Sequence, residues 1–436
     1  MAKGSGLHPV YLTPSGWNAL LPPRVVRDAL PAARAFRSIV IGAGFTGLAA
    51  ARRLAEHEPG HEHLLIDADV IGENASGRNS GFLSIHPNEP VANRHGSVDD
   101  AAARQMRLYR AGRDHLKMLV DRHGIDCGWD ETAPRLLGAA TEGGVSRARA
   151  ALERYRRSGL GAEEIDAAGL KERTGSDYYR YAVRADGHVL VQPAALVRGV
   201  ADVLPDAVRL VERLPVSAIE GGGPFKVRTG RGDFRADRLL VTANLHARAL
   251  GLLGDRMIGV YTYGGLTPEL DDAALAAHGS LPQWGLIPAH PMGTTIRKFS
   301  GRRFLVRSGD AYEREDDPVE VRGLLTELYR NRYPGLSSHD LEHVWGGVTA
   351  ITRNGGLYFG SPRHGLFCAA GCNGSGVVRG TINGLMLADL AVGATSSLLD
   401  DRLKLEGPNW IPPDPLRSLV VRSKIALGRR EAGAEI

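Results

Sequence analysis

The chain has 436 residues, 43% hydrophobic and 24% charged, which excludes a disordered or fibrous polypeptide and leaves room for two to three domains at roughly 150 residues each. No run of about 18 apolar residues occurs, and three cysteines (Cys127, Cys368, Cys372) are too few and too scattered for a disulfide framework. The formal net charge of +5 is spread along the chain without an aromatic-basic cluster, which speaks against a nucleic-acid partner.

Residues 1–35 form a lead-in without the charged, apolar and small-residue order of a signal peptide, and the expectation is a cytoplasmic protein. The apolar runs "SIVI" at 38–41 and "HLLI" at 63–66 bracket a helix rich in Ala and Leu, which makes a βαβ unit. Its turn holds Gly42, Gly44 and Gly47 in G-x-G-x-x-G spacing. Gly42 permits the tight turn, Gly44 leaves the backbone open to a pyrophosphate, and Gly47 lets helix and strand pack closely. The helix N-terminus then directs free N–H groups and a partial positive charge at the phosphates. Asp67 lies twenty residues past Gly47, where it can accept both ribose hydroxyls while its charge disfavours a 2′-phosphate. That reading leaves NAD and FAD and argues against NADP.

The next segment, "ASGRNSGFL" at 75–83, is rich in small and hydrogen-bonding residues and does not look like an NAD dehydrogenase. Amphipathic helices are predicted at 99–123 and 145–158. Buried-strand runs at 238–242 ("RLLVT") and 366–370 ("LFCAA") suggest one parallel sheet assembled from distant parts of the chain. Between them, "TTIRKFSGRRFLVRSG" at 294–309 reads as an antiparallel hairpin around Ser300 and Gly301. After the last run, "GCNGSGVVRGT" at 371–381 is a glycine loop followed by a helix start, whose dipole would stabilise negative charge at the pyrimidine edge of a flavin. Cys368 and Cys372 stand four apart, but no His or Cys cluster completes a tetrahedral site, so no metal is expected. The basic amphipathic stretch 415–430 is read as a helix packed on its own protein, with contact to a membrane surface the less favoured alternative.

These motifs, with "DGHVLVQPAALVRGVADVL", "WGGVTAITRNGGLYFG" and the closing "IPPDPLRSL", resemble the FAD-dependent D-amino-acid oxidase and glycine oxidase superfamily over nearly the whole chain. Within it the chain looks most like the bacterial branch that includes gamma-glutamylputrescine oxidase. The resemblance implies an α/β fold with a Rossmann-type, glutathione-reductase-2-like FAD-binding domain at 36–98, 185–258 and 341–400. It also implies a discontinuous α+β substrate domain on an antiparallel sheet at 99–184 and 259–340, followed by a tail at 401–436. Carried over residue by residue, Gly42, Gly44, Phe45, Thr46, Gly47, Asp67 and Ala68 would hold the ADP part. Ser76, Gly77, Arg78, Asn79, Ser80 and Gly81 would line the phosphate and isoalloxazine side. Val216 stands where such proteins contact adenine, and Asn373, Gly374, Ser375, Gly376 and Val377 would sit at the flavin pyrimidine edge. Neither "WGGVTAIT" nor "ASGRNSG" carries the Cys or His of relatives with covalent flavin, which implies noncovalent FAD.

Amino-acid-oxidising relatives often carry an Arg four residues after the Trp of the W-x-G motif, where its forked donors can hold a carboxylate. Here Thr349 takes that place after Trp345, which turns the expectation from an amino acid toward a primary or secondary amine such as a polyamine derivative. Arg353 or Arg297 is a candidate substitute for the missing Arg. Arg297 also stands near where some relatives carry an oxygen-activating Lys, the plain alternative being a surface arginine. His86 and His290 are candidate pocket groups that could take a proton from the substrate ammonium. The implied reaction is oxidation of a C–N bond by hydride transfer to FAD, with the imine then hydrolysed to a carbonyl compound. Oxygen or a quinone would take the electrons, and the residues do not separate the two. Oxidation of glycine, sarcosine or a D-amino acid is one alternative; a non-catalytic flavin-binding or electron-transfer subunit is another.

Overall fold

The computed structural model describes residues 11–86, 96–299 and 302–436. The first of its two eight-stranded sheets runs in the order Tyr358–Arg363, Leu366–Ala370, Phe234–Val241, Ala35–Ile41, His63–Ile66, Val208–Val211. The five strands from Leu366–Ala370 to Val208–Val211 are mutually parallel. Ile39, Val40, Leu64 and Leu65 have no exposed surface, because strands covered on both faces carry continuous apolar runs where half-buried ones alternate. Only part of this sheet is the parallel one expected: Tyr358–Arg363 closes an edge antiparallel, and a ribbon of Val216–Glu220 and Phe225–Thr229 pairs antiparallel onto Phe234–Val241.

The second sheet runs in the order His343–Thr352, Met257–Leu266, Arg303–Tyr312, Thr295–Phe299, Trp284–Pro288, Arg135–Ala139, Tyr181–Ala185, Ala162–Asp166. All its pairs are antiparallel except Trp284–Pro288 with Arg135–Ala139. The expected hairpin is its pair Thr295–Phe299 and Arg303–Tyr312; the turn at Ser300 and Gly301 lies outside the described residues.

The helix expected at 99–123 is Val98–His123, opened by a Ser97–Asp100 capping box and closed by Gly124 in the left-handed region. The one expected at 145–158 is Glu142–Arg157, capped by Thr141. Helix Phe45–His57 packs along Gly376–Val392, where a side chain at Gly384 would collide with the Thr46 carbonyl.

The C-terminal stretch is tied into the second sheet. Helix Leu416–Ala432 lies on strand Arg303–Tyr312, with Arg422 over the Tyr312 ring at 5.6 Å and Arg429 Nη2 donating to the Asp310 carbonyl at 3.1 Å. Beyond it, Glu435 Oε1 accepts from the Ala140 and Thr141 N–H groups at 3.0 and 2.9 Å and so anchors the start of helix Glu142–Arg157. No single described helix is long and apolar enough to cross a membrane.

Candidate active site

One cavity of about 1620 Å³ reaches from the βαβ turn to the second sheet. Sites for single small ligands occupy roughly 300–1,000 Å³, so this space takes a dinucleotide and a further molecule together.

At the βαβ turn, the helix Phe45–His57 starts at Gly44 with no side chain capping its first N–H groups, and Gly44, Phe45 and Thr46 line the cavity. A Cβ on Gly44 would stand 2.8 Å from Ser76 Oγ, so the narrow gap between these two loops exists because the residue is glycine. Asp67 Oδ2 accepts the Ala43 N–H at 2.6 Å and Oδ1 the Asp69 N–H at 3.0 Å, which fixes the acid against the turn. Burial pushes its pKa up to about 6, with both hydrogen bonds opposing the shift. Ala68 and Val216 complete this end.

Ser76, Arg78, Asn79 and Ser80 line the next part of the wall. The Arg78 guanidinium is fully engaged: it donates to the carbonyls of Glu73 at 2.6 Å, Gly346 at 2.9 Å and Thr13 at 2.9 Å, and covers the Tyr11 ring at 3.7 Å. Gly77 and Gly81 correct the expectation that they line this wall. They stand behind it, packed against the carbonyls of Gly72 and Val191, and Gly47 is packed in the same way against Gly42.

Asn373, Gly374, Ser375, Gly376 and Val377 all reach the wall, and helix Gly376–Val392 likewise begins without a side-chain cap. Asn373 holds this loop, accepting the Thr352 N–H at 2.8 Å and donating to the carbonyls of Gly371 at 2.8 Å and Gly355 at 3.1 Å. Asn244, which sequence reasoning missed, accepts the Gly371 N–H at 2.9 Å from a segment some 130 residues earlier. Two uncapped helix starts, a pinned acid and backbone-lined gaps fit the phosphates, ribose and polar ring edge of FAD.

Of the remaining candidates, Thr349, Arg353 and His290 lie on the wall, while Arg297 and His86 do not. Arg297 is 2% exposed and donates from Nη1 to the carbonyls of Val191 at 2.6 Å, Ser80 at 3.0 Å and Gly81 at 3.3 Å. It is therefore neither a surface arginine nor a cavity residue: it braces the Ser80–Gly81 backbone from behind, and burial lowers its pKa to about 9. His86 is buried edge-on to Tyr155, with ring centroids 4.6 Å apart. His290 accepts the Met292 N–H at Nδ1, 3.2 Å away; burial, then the nearby Arg147, lowers its pKa. With Nδ1 accepting, the neutral ring carries its proton on Nε2 and acts there as a donor, which does not suit the expected role of base.

Sequence reasoning also missed a set of basic and aromatic residues on the cavity wall. Arg147 and Arg154 reach it from helix Glu142–Arg157, Tyr263 and Arg307 from the second sheet, and Lys424 from the C-terminal helix. The helical spacing of Arg147 and Arg154, seven apart, placed them on one face; nothing local marked that face as a cavity wall.

A family model described as FAD dependent oxidoreductase matches residues 37–390. The chain is 26% identical over 414 residues to the probable oxidoreductase OrdL of Rhizobium meliloti, covering 91% of this chain and 92% of that one. It is 25% identical over 372 residues to the gamma-glutamylputrescine oxidoreductase of Escherichia coli, covering 81% and 83%. Among solved structures, glycine oxidase from Geobacillus kaustophilus superposes with a TM-score of 0.71 at 20% identity, over 84% of this chain and 96% of that one.

Proposed function

The chain belongs to the FAD dependent oxidoreductase family, and on that footing we propose that it oxidises a primary or secondary amine whose reacting carbon bears no carboxylate. The observation that carries this reading is the uncharged Thr349 on the cavity wall, on the same strand as Trp345 and four residues after it. The named activity of the Escherichia coli relative points the same way, toward a polyamine derivative.

In this reading, the N–H groups at Phe45 and Thr46 hold the pyrophosphate of noncovalently bound FAD, Asp67 the ribose, Val216 the adenine, and the start of helix Gly376–Val392 the pyrimidine edge. Bound FAD supplies the hydride acceptor. The chain's own part is to hold the amine against that acceptor, keep water away, and receive it uncharged, since a nitrogen lone pair must be free to expel hydride. His290, as an Nε2–H donor, orients substrate and does not deprotonate it. kcat/KM then rises with pH toward the amine's own pKa, about 10 for an alkylamine, and His290→Gln keeps that slope.

Anaerobic mixing tests the proposal. Alkylamines and polyamine derivatives should bleach the oxidised flavin band, and α-amino acids should not; bleaching by no amine would end it. Peroxide formation on readmitting air separates oxygen from a quinone as acceptor. A second reading, oxidation of an amino acid, is supported by Arg353 on the cavity wall. It requires bleaching by glycine or a D-amino acid that Arg353→Ala abolishes.

A further inference from the structure

Away from the loops assigned to FAD, the cavity wall is cationic. Arg147, Arg154, Arg307 and Lys424 reach it, against a single carboxylate, Asp310. Arg307 is half-buried on the cavity wall and differs from the buried Arg78 and Arg297 in its partners. Arg78 and Arg297 each spend their donors on three backbone carbonyls, whereas the side chain of Arg307 has no hydrogen bond and no ion pair among the described residues. Asp310 is the carboxylate whose charge acts on it, without forming an ion pair, while Arg429 of the C-terminal helix attracts Asp310 less and donates only to its backbone carbonyl. The five donors of Arg307 are left to the cavity, where an anionic ligand brings acceptors.

Strand register places this cation. Arg307 stands opposite Gly264, and Thr349 opposite Val260, on the two sides of strand Met257–Leu266. Four residues along and two strands across puts their backbones about 16 Å apart. A group held by Arg307 is therefore well separated from the wall at Thr349.

We infer that Arg307 is the anion-binding residue of the substrate site, and that the amine oxidised by this chain carries a carboxylate at the end remote from its reacting C–N bond. The inference rests on the amine reading above. Bidentate geometry suits a guanidinium fork, while Arg147, Arg154 and Lys424 add positive potential that draws the anion in.

Two measurements on the holoenzyme test it. In the first, kcat/KM is compared for 5-aminopentanoate, its methyl ester and pentylamine. Arg307→Gln should lower the value for the carboxylate about 30-fold or more, mainly through KM, and leave the ester and pentylamine within about threefold. Arg307→Lys, which keeps the charge but loses the fork, should recover part of the loss. Equal losses on all three substrates, or no loss on any, would overturn the inference. In the second, glutarate, which has no nitrogen to oxidise, is titrated into the holoenzyme while the flavin absorption band is followed. A perturbation present in the wild type and absent in Arg307→Gln supports the anion site even if no amine bleaches the flavin, in which case only the amine reading falls. The same perturbation in both proteins overturns the site whatever the amines do.

Discussion

Asp67 and Arg297 show how burial changes what a charged residue does here. Asp67 has a folded pKa of about 6, above the ordinary carboxylate value. The folded apoprotein therefore holds a proton that the unfolded chain has released over the window from about pH 4 to 6, and its stability falls as pH rises through that window. Asp67→Asn should remove this slope, seen in thermal midpoints of the apoprotein across the window, and should weaken FAD binding at pH 7 by about tenfold or more through the lost charged acceptor. Equal slopes in both proteins would contradict the burial argument. Arg297 satisfies three carbonyls from within the core, so Arg297→Ala should cost about 2–4 kcal/mol in urea unfolding, because those acceptors stay buried without a donor. A variant as stable as the parent would reopen a role for this cation in oxygen chemistry.

At the scale of elements, the two helices whose uncapped starts face the cavity hold each other in place. Helix Phe45–His57 and helix Gly376–Val392 meet at Gly380 and Gly384, and no side chain fits between Gly384 and Thr46. Gly384→Ala should push the helices apart at the residue that follows the nucleotide turn. The expected result is FAD affinity lower by about tenfold, with destabilisation of about 1–3 kcal/mol, the range seen for overpacked sites. Flavin fluorescence during dialysis measures the first, and unchanged affinity would show that the turn is set by the strands alone. The C-terminal helix plays a comparable part on the other wall, where Val420, Val421, Lys424 and Ile425 close the cavity over the second sheet.

For the whole molecule, a cavity walled by both sheets makes the cofactor part of the fold. FAD at about 100 times its Kd should add about 2.7 kcal/mol to unfolding and raise the melting temperature with concentration, which calorimetry reads directly. A melting temperature indifferent to FAD would mean that the cavity does not bind it in the folded state. The local motifs were readable in the chain alone: the glycine turn, the helix starts after Gly44 and Ser375, and the strand runs depend on residues close in sequence, and Asp67 on its spacing within one βαβ unit. The apolar pattern carried the parallel strands for the same reason. Arg297 read as a catalytic candidate because sequence shows a charge but not its partners, and those partners, Ser80 and Val191, lie more than 100 residues away, as does Gly346, one of the carbonyls that hold Arg78 on the wall. The second wall was invisible for a related reason, since Arg154, Arg307 and Lys424 converge only when a helix, a strand and the C-terminal helix pack around one space. Short-range stereochemistry determined where a nucleotide can bind, and long-range packing decided which charges remain free to meet a substrate.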